Sequence, residues 1–317
     1  MIKKIVIKKL IVLMCISFTL VLLYFMPDNK ELSYKTKIIY TSSEVKLHDI
    51  FLLDSNNRIA LTNIAIENEK IIDIAREIIE ILIKDGKYES KIPSGFRSIL
   101  PSETKINNLI LEDDILKIDL SSKLFEDINK EYEDKIIESL IYSLTSIKEI
   151  NKIIIFIDGK ILTKLPISGK ILPSILDRDY GINKIYDLVT TKDITNLTIY
   201  YIDEYNDNYY YVPVTKFLND KREKIEIIIE ELASSKLYTS DLMSFLDSEA
   251  KLISSSNNNE ILTLEFNDFI FDDMTEKTIL EEVTYSISLS VFDAYDVKEV
   301  IFINNNEEIY KKGVENS

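Results

Sequence analysis

The spacing of apolar residues switches between a period of two and a period near 3.6 in the same order twice along the chain, the mark of a duplicated unit. In the first half, an apolar strand at 50–53, a polar turn of Asp54, Ser55, Asn56 and Asn57, and a second strand at 59–66 read as a hairpin. In the second half, 197–202, a turn from Asp203 to Asn208, and 209–214 read the same way. A helix follows each hairpin. Ile71, Ala75, Ile78, Ile79 and Leu82 share one helical face, and so do Ile225, Ile228, Ile229 and Leu232, each with carboxylates off the stripe. Next come two further strands, at 109–111 and 115–120 in one half and at 252–253 and 261–266 in the other. Each half closes with a second amphipathic helix, through Ile136, Ile137, Leu140, Ile141 and Leu144 or through Ile279, Leu280, Val283 and Ile287, and with a strand at 153–157 or 300–303. The offset between equivalent positions drifts only from about 150 to 146. The predicted fold is α+β: two tandem, internally repeated α/β modules, each a mainly antiparallel sheet with two helices on one face.

Ahead of the repeat, four lysines within residues 1–9 precede 17 uncharged, mostly apolar residues at 10–26. As a helix that run spans roughly 26 Å, close to the ~30 Å hydrocarbon core of a bilayer. Lys8 and Lys9 can snorkel at one end and Tyr24 can sit at the interface. No small-residue cleavage pattern follows the run, and Met14 stands where lipidation of Cys15 wants a small residue. The expectation is an uncleaved N-terminal transmembrane helix, a single-pass anchor over 1–27, with the N-terminus cytoplasmic and the rest outside the cell membrane. The rest divides into a juxtamembrane segment at 28–46, a first module at 47–165, a connector at 166–195, a second module at 196–311 and a tail at 312–317. Ile171, Leu172, Ile175, Leu176, Ile182, Ile185 and Leu188 give the connector too much apolar surface to leave in water, so it is expected to pack against both modules as one unit.

Charge and composition narrow the chemistry. With 38 basic and 54 acidic residues the chain carries a net −16, which repels phosphate backbones and excludes nucleic acid as a partner. Cys15 is the single cysteine, His48 the single histidine, and there is no tryptophan. A histidine-based triad or zinc site would have to be built on His48, whose position reads as a strand edge. The acidic turns at 112–114 and 203–208 lack the alternating oxygen ligands and the glycine of a calcium loop, Tyr205 breaking the spacing of the second. Six scattered glycines make no phosphate loop, and no carboxylate pair stands out from solvated helix faces. The expectation is a non-enzymatic protein with no catalytic, cofactor-binding or metal-binding residues.

Two features remain. A loop at 86–105 carries Gly86, Pro93, Gly95 and Pro101, whereas its counterpart at 236–250 has neither glycine nor proline, and long structured loops tend to be functional. Tyr200, Tyr201, Tyr205, Tyr209, Tyr210 and Tyr211 cluster on one hairpin, where the rings either pack across strands or meet a protein or glycan. The candidate partner contacts are Gly95, Phe96, Arg97, Leu100, Pro101, Tyr209, Tyr210 and Tyr211.

The loop also carries a resemblance. The run from Pro93 to Thr104 (PSGFRSILPSET), the strand from Ile115 to Leu120, and Tyr142-Ser143-Leu144-Thr145 leading on to Asp158-Gly159 resemble the GerMN module, which defines the GerM proteins of sporulation and spore germination. In the connector Gly169-Lys170, Leu172-Pro173, Leu176-Asp177-Arg178 and Gly181-Ile182-Asn183 extend it, and the tandem arrangement carries it over 47–311. The second module departs by showing Leu246 to Ala250 in place of the Leu-Pro motif, and Glu103 stands where a glycine is common. The resemblance implies modules akin to the ring-building folds of secretion systems, without known catalytic residues. It also implies exposure between mother-cell and forespore membranes, and protein partners in an envelope-spanning sporulation complex. An envelope module that binds peptidoglycan or a solute is the alternative, and a carboxylate hydrolase a third reading.

Overall fold

The computed structural model describes residues 46–234 and 241–314, so the anchor expected at 1–27 and the segment at 28–45 lie outside the described residues. Among the described residues no helix is long and apolar enough to cross a membrane. The first module opens with β1 (Lys46–Leu53) and β2 (Ile59–Ile66), antiparallel from Lys46 opposite Ile66 to Leu53 opposite Ile59. Ile50, Phe51, Leu52 and Leu53 are buried one after another, because this strand is covered on both faces. The turn closes through Asn57 at φ 61°, a left-handed conformation that asparagine tolerates. Asp54 caps it, accepting the Asn56 N–H at 2.8 Å and the Arg58 N–H at 2.7 Å.

Helix α1 (Ile71–Leu82) leads through a loop to β3 (Ile106–Glu112) and β4 (Ile115–Leu120). Helix α2 (Lys130–Leu144), β5 (Lys152–Ile157) and the two-residue β6 (Lys160–Ile161) complete the module. After β7 (Ile185–Asp187) in the connector, the order repeats. It runs through β8 (Thr195–Tyr205), β9 (Asn208–Leu218), α3 (Lys224–Ala233), β10 (Leu252–Asn258), β11 (Ile261–Phe266), α4 (Glu281–Ala294), β12 (Glu299–Asn304) and β13 (Glu307–Gly313).

The sheets are antiparallel-rich, as expected, but three features refine the expectation of a single sheet per module. First, the β1–β2 hairpin stands apart from a four-stranded sheet in the order β3-β4-β5-β6, and β8–β9 stands apart from β10-β11-β12-β13. Second, β4–β5 and β11–β12 are parallel, since a helix crosses over between the strands of each pair. Third, β6 and β13 add fourth strands too short or too charged to register as apolar alternation. In addition α4 starts at Glu281, leaving Ile279 and Leu280 ahead of it.

The hairpins can stand apart because helices finish their edges. β1 has a strand neighbour on one side only, and α2 lies along the other. Ser143 accepts the Phe51 N–H at 2.9 Å, Ser139 donates to the Phe51 carbonyl at 2.6 Å, and Ser146, just past the helix, donates to the Asp49 carbonyl at 2.8 Å. Ser290 of α4 accepts the Tyr200 N–H of β8 at 2.9 Å in the same way. Serine is a poor helix former, but here its hydroxyl replaces the missing strand and spares buried backbone groups the cost of going unbonded.

Two apolar cores result, and each takes in a residue of the other module. Tyr200 is buried in the first core, Ala60 in the second, and Phe96 packs on both. All described residues belong to one compact unit. The connector departs from the expected apolar docking. Leu172, Leu176 and Ile182 are buried, but Ile171 is 80% exposed and Ile175, Ile185 and Leu188 also face solvent. Polar contacts do the rest of the docking.

Candidate functional site

The side chains with the densest chemistry converge where module meets module, in three groups. The first is built on Arg178, in a short 3-10 turn capped by Asp177, whose carboxylate accepts the Asp179 N–H at 3.1 Å. Its guanidinium lies 4.9 Å from the ring centre of Tyr142 and 5.8 Å from that of Phe51. It donates to Asp293 of α4 at 2.7 Å, to the Thr145 hydroxyl at 3.0 Å and to the Tyr142 carbonyl at 3.4 Å. One connector side chain thus ties α2 to α4. Tyr142 adds a hydroxyl contact of 3.0 Å to Thr198 of β8, and burial raises its pKa well above the ordinary phenol value, so it stays neutral.

The second group follows Gly181. Asn183, held at φ 45°, uses one amide as a clip: Nδ2 donates to the Ile59 carbonyl at 2.7 Å and to the Pro213 carbonyl at 2.8 Å, while Oδ1 accepts the Ile59 N–H at 3.0 Å. Its own N–H goes to Glu138 at 2.9 Å. Lys184 pairs with Glu138, contacts Asp134 at 3.2 Å, and lies 3.9 Å from the ring centre of Tyr180, which donates to Asp134. Lys170 donates to both Asp134 oxygens at 2.9 Å. Burial works to raise Asp134, but Lys184, Tyr180 and Lys170 together outweigh it and hold the carboxyl below the usual range. For Glu138 burial prevails over Lys184 and moves the pKa up.

The third group lies at the hairpin tips. Arg58 reaches from its buried turn partner Asp54 to Asp203 at 2.7 Å, where Asn56 also donates at 3.0 Å. Tyr210 donates to Asp54 at 3.2 Å and meets Phe96 edge-on at 5.0 Å. Gly95, at φ 93°, lies so near Tyr205 that a β-carbon there would fall 2.6 Å from the ring. Gly95→Ala is therefore expected to cost about 1–3 kcal/mol, from left-handed strain and overpacking together. A urea midpoint equal to that of the wild type would refute it.

The candidate contacts from sequence divide accordingly. Leu100 and Tyr210 are buried, and Gly95 and Phe96 face the junction. Arg97 is exposed, pairs backbone to backbone with Leu53 and donates to the Asp54 carbonyl at 3.2 Å. Pro101 is half-buried, as is Tyr211, whose ring stacks at 6.0 Å on Tyr285. Tyr209 alone of the three tyrosines is open, at 49%, beside Phe245 at 5.2 Å. Sequence reasoning missed Glu138, Lys184 and Asp293. The available signal was a glutamate amid the buried stretch Ile136, Ile137, Ser139 and Leu140 of α2.

His48, expected at a strand edge, is 2% exposed, and among the described residues neither ring nitrogen has a hydrogen-bond partner. Burial first, then Lys46, depresses its pKa below 6.5 against an opposing pull from Glu77. A depressed imidazole stabilises the fold fully above its unfolded pKa, and that contribution is lost as pH falls through 6.5 and below. The melting midpoint should drop on acidification below that value, and less so in His48→Leu. Parallel profiles for the two proteins would refute the assignment. Among the described residues no group of three or more His, Cys, Asp or Glu is placed to hold a metal.

Comparison with known proteins accords with this architecture. The family described as sporulation and spore germination, Germane, matches residues 49–163 and 198–310, once per module. The chain is 32% identical over 277 residues to the spore germination protein GerM of Bacillus subtilis (strain 168), covering 84% of this chain and 74% of that protein. The structure of the tandem GerMN domains of the sporulation protein GerM from Bacillus subtilis superposes with a TM-score of 0.74 at 30% identity, over 83% of this chain and 92% of the other.

Proposed function

Since the chain belongs to the Germane family, and its role lies in sporulation and spore germination, we propose that it works there as a non-enzymatic scaffold presenting two modules as one rigid block. The junction carries this reading. Arg178, Asn183, Lys184, Glu138, Asp54 and Asp203, the groups one would examine for chemistry, are all engaged in holding the connector and the two modules together. A block of fixed geometry can bind neighbours on two faces at a set spacing, which a flexible pair of domains cannot do without an entropic penalty. In this reading the N-terminal lysines and apolar run anchor the chain in the membrane, with the block outside and its partners among the proteins of a sporulation envelope complex.

Affinity purification of the full chain from sporulating cells tests the proposal. Envelope proteins should co-purify with the wild type and be reduced with Arg178→Ala, which loosens the block. Absence of any specific protein partner would overturn it. Sedimentation of the purified chain with cell wall alone would favour a peptidoglycan-binding module instead.

A further inference from the structure

Most strand edges in this fold are closed. Helix serines finish β1 and β8, and β7 is three residues long. On β3 Asn108 occupies one edge position, accepting the Leu109 N–H at 3.0 Å, and a bulge lies between Ile106 and Asn108. β13 is guarded by Glu307, Glu308, Lys311 and Lys312 and by a bulge.

β10 is different. It ends its sheet, contains no charge and no proline, and is exposed at every position after Leu252. Ser255 and Asn257 stand opposite Leu264 and Leu262, which are buried, yet are themselves in solvent, so the cover over the sheet stops short of this strand. From Ser254 to Asn258 the register is regular, and among the described residues no side chain bonds a backbone N–H of β10. Beyond the bulge between Leu252 and Ser254, that leaves five residues of regularly paired backbone that no described side chain guards.

Charge selects what can use it. Residues 196–311 hold nine basic and 24 acidic residues, a net −15, against −6 for 47–165. A second copy of the chain would bring two such modules together, whereas a basic strand would be drawn in. We propose that β10 is a docking strand that takes an extended, lysine- or arginine-bearing segment of a partner protein by adding it to the sheet; this gives the scaffold reading its contact surface and rests on it. Backbone hydrogen bonds provide the grip and the acidic module the sign preference.

The test is photocrosslinking of the full chain in sporulating cells, with p-benzoylphenylalanine replacing Ser256. The expected adduct maps by mass spectrometry to a lysine- or arginine-bearing segment of another protein. The pair Ser255→Lys and Asn257→Lys should lower its yield about tenfold, and the pair Ser255→Glu and Asn257→Glu should preserve it. Both sites are exposed, so both variants should melt with the wild type. No adduct, an adduct to a second copy, an acidic crosslinked segment, or equal loss with both pairs would overturn the proposal. If the lysine pair still co-purifies every partner of the wild type, the docking strand falls and the scaffold stands. If the wild type itself retains none, both fall.

Discussion

Replacing Arg178 with alanine is expected to lower the free energy of unfolding by about 3 kcal/mol, the low end of the range for breaking a buried ion pair from one side, because Asp293 is buried while the Arg178 side chain keeps 29% exposure. The Asp293 carboxylate, 5% exposed, would lose its cation and could not recover water without α4 moving. Thr145 and the Tyr142 carbonyl would lose donors, and the rings of Tyr142 and Phe51 the cation between them. Arg178 joins the connector, α2 and α4, so the loss should fall on the junction as well as on overall stability. Trypsin is then expected to release two fragments from the variant and to leave the wild type intact over the same time. Arg178→Lys should recover only part, because one ammonium cannot serve three acceptors that a planar fork reaches at once. Urea unfolding decides the matter, and a change below about 1 kcal/mol would mean that Arg178 is a surface residue in energetic terms.

Lys184→Met should have an effect of similar size, with a distinctive pH dependence. The side chains of Lys184 and Glu138 are 6% and 4% exposed, so removing the ammonium strands a carboxylate that keeps only the Asn183 N–H. At neutral pH the expected loss is about 3–5 kcal/mol. Burial already raises Glu138, and without Lys184 only the Asn183 N–H opposes that upward push. A carboxyl raised in the fold favours the folded state below its unfolded pKa near 4.5 and loses that contribution as pH rises. The variant should therefore approach the wild type in acid and diverge toward neutrality. Adding Glu138→Gln should restore most of the difference, since an amide oxygen still accepts from Asn183 without a charge to bury. A deficit independent of pH, or unrelieved by Glu138→Gln, would show that packing rather than charge is what Lys184 supplies.

Both predictions concern residues the sequence left inconspicuous. Arg178 and Asn183 stood inside the connector motif that carried the family resemblance, but nothing along the chain tells that one meets Asp293, 115 residues away, or that the other clips β2 to β9. Tyr210 and Phe96 looked available to a partner and instead face each other. Ile171 looked like a docking residue because it is apolar, yet the connector is anchored beside it by Lys170 on Asp134. An isolated apolar side chain says little about burial, because folded surfaces are themselves largely apolar.

What the sequence by itself determined is whatever depends on neighbours a few positions apart. The hairpin Asp54 caps, the helical faces through Ile78 and Ile228, the strands ending at Leu120 and Phe266, and the duplication that relates them follow from alternation and helical period. Only the tertiary structure decided how those pieces join. Which strand lies parallel, which edge a serine finishes, which edge is left open at β10, and which acid shares Arg58 or Arg178 depend on groups far apart in the chain. A charge or hydroxyl has the same local pattern whether it ends in water or in a junction, and its role is set by the partner that arrives across the fold.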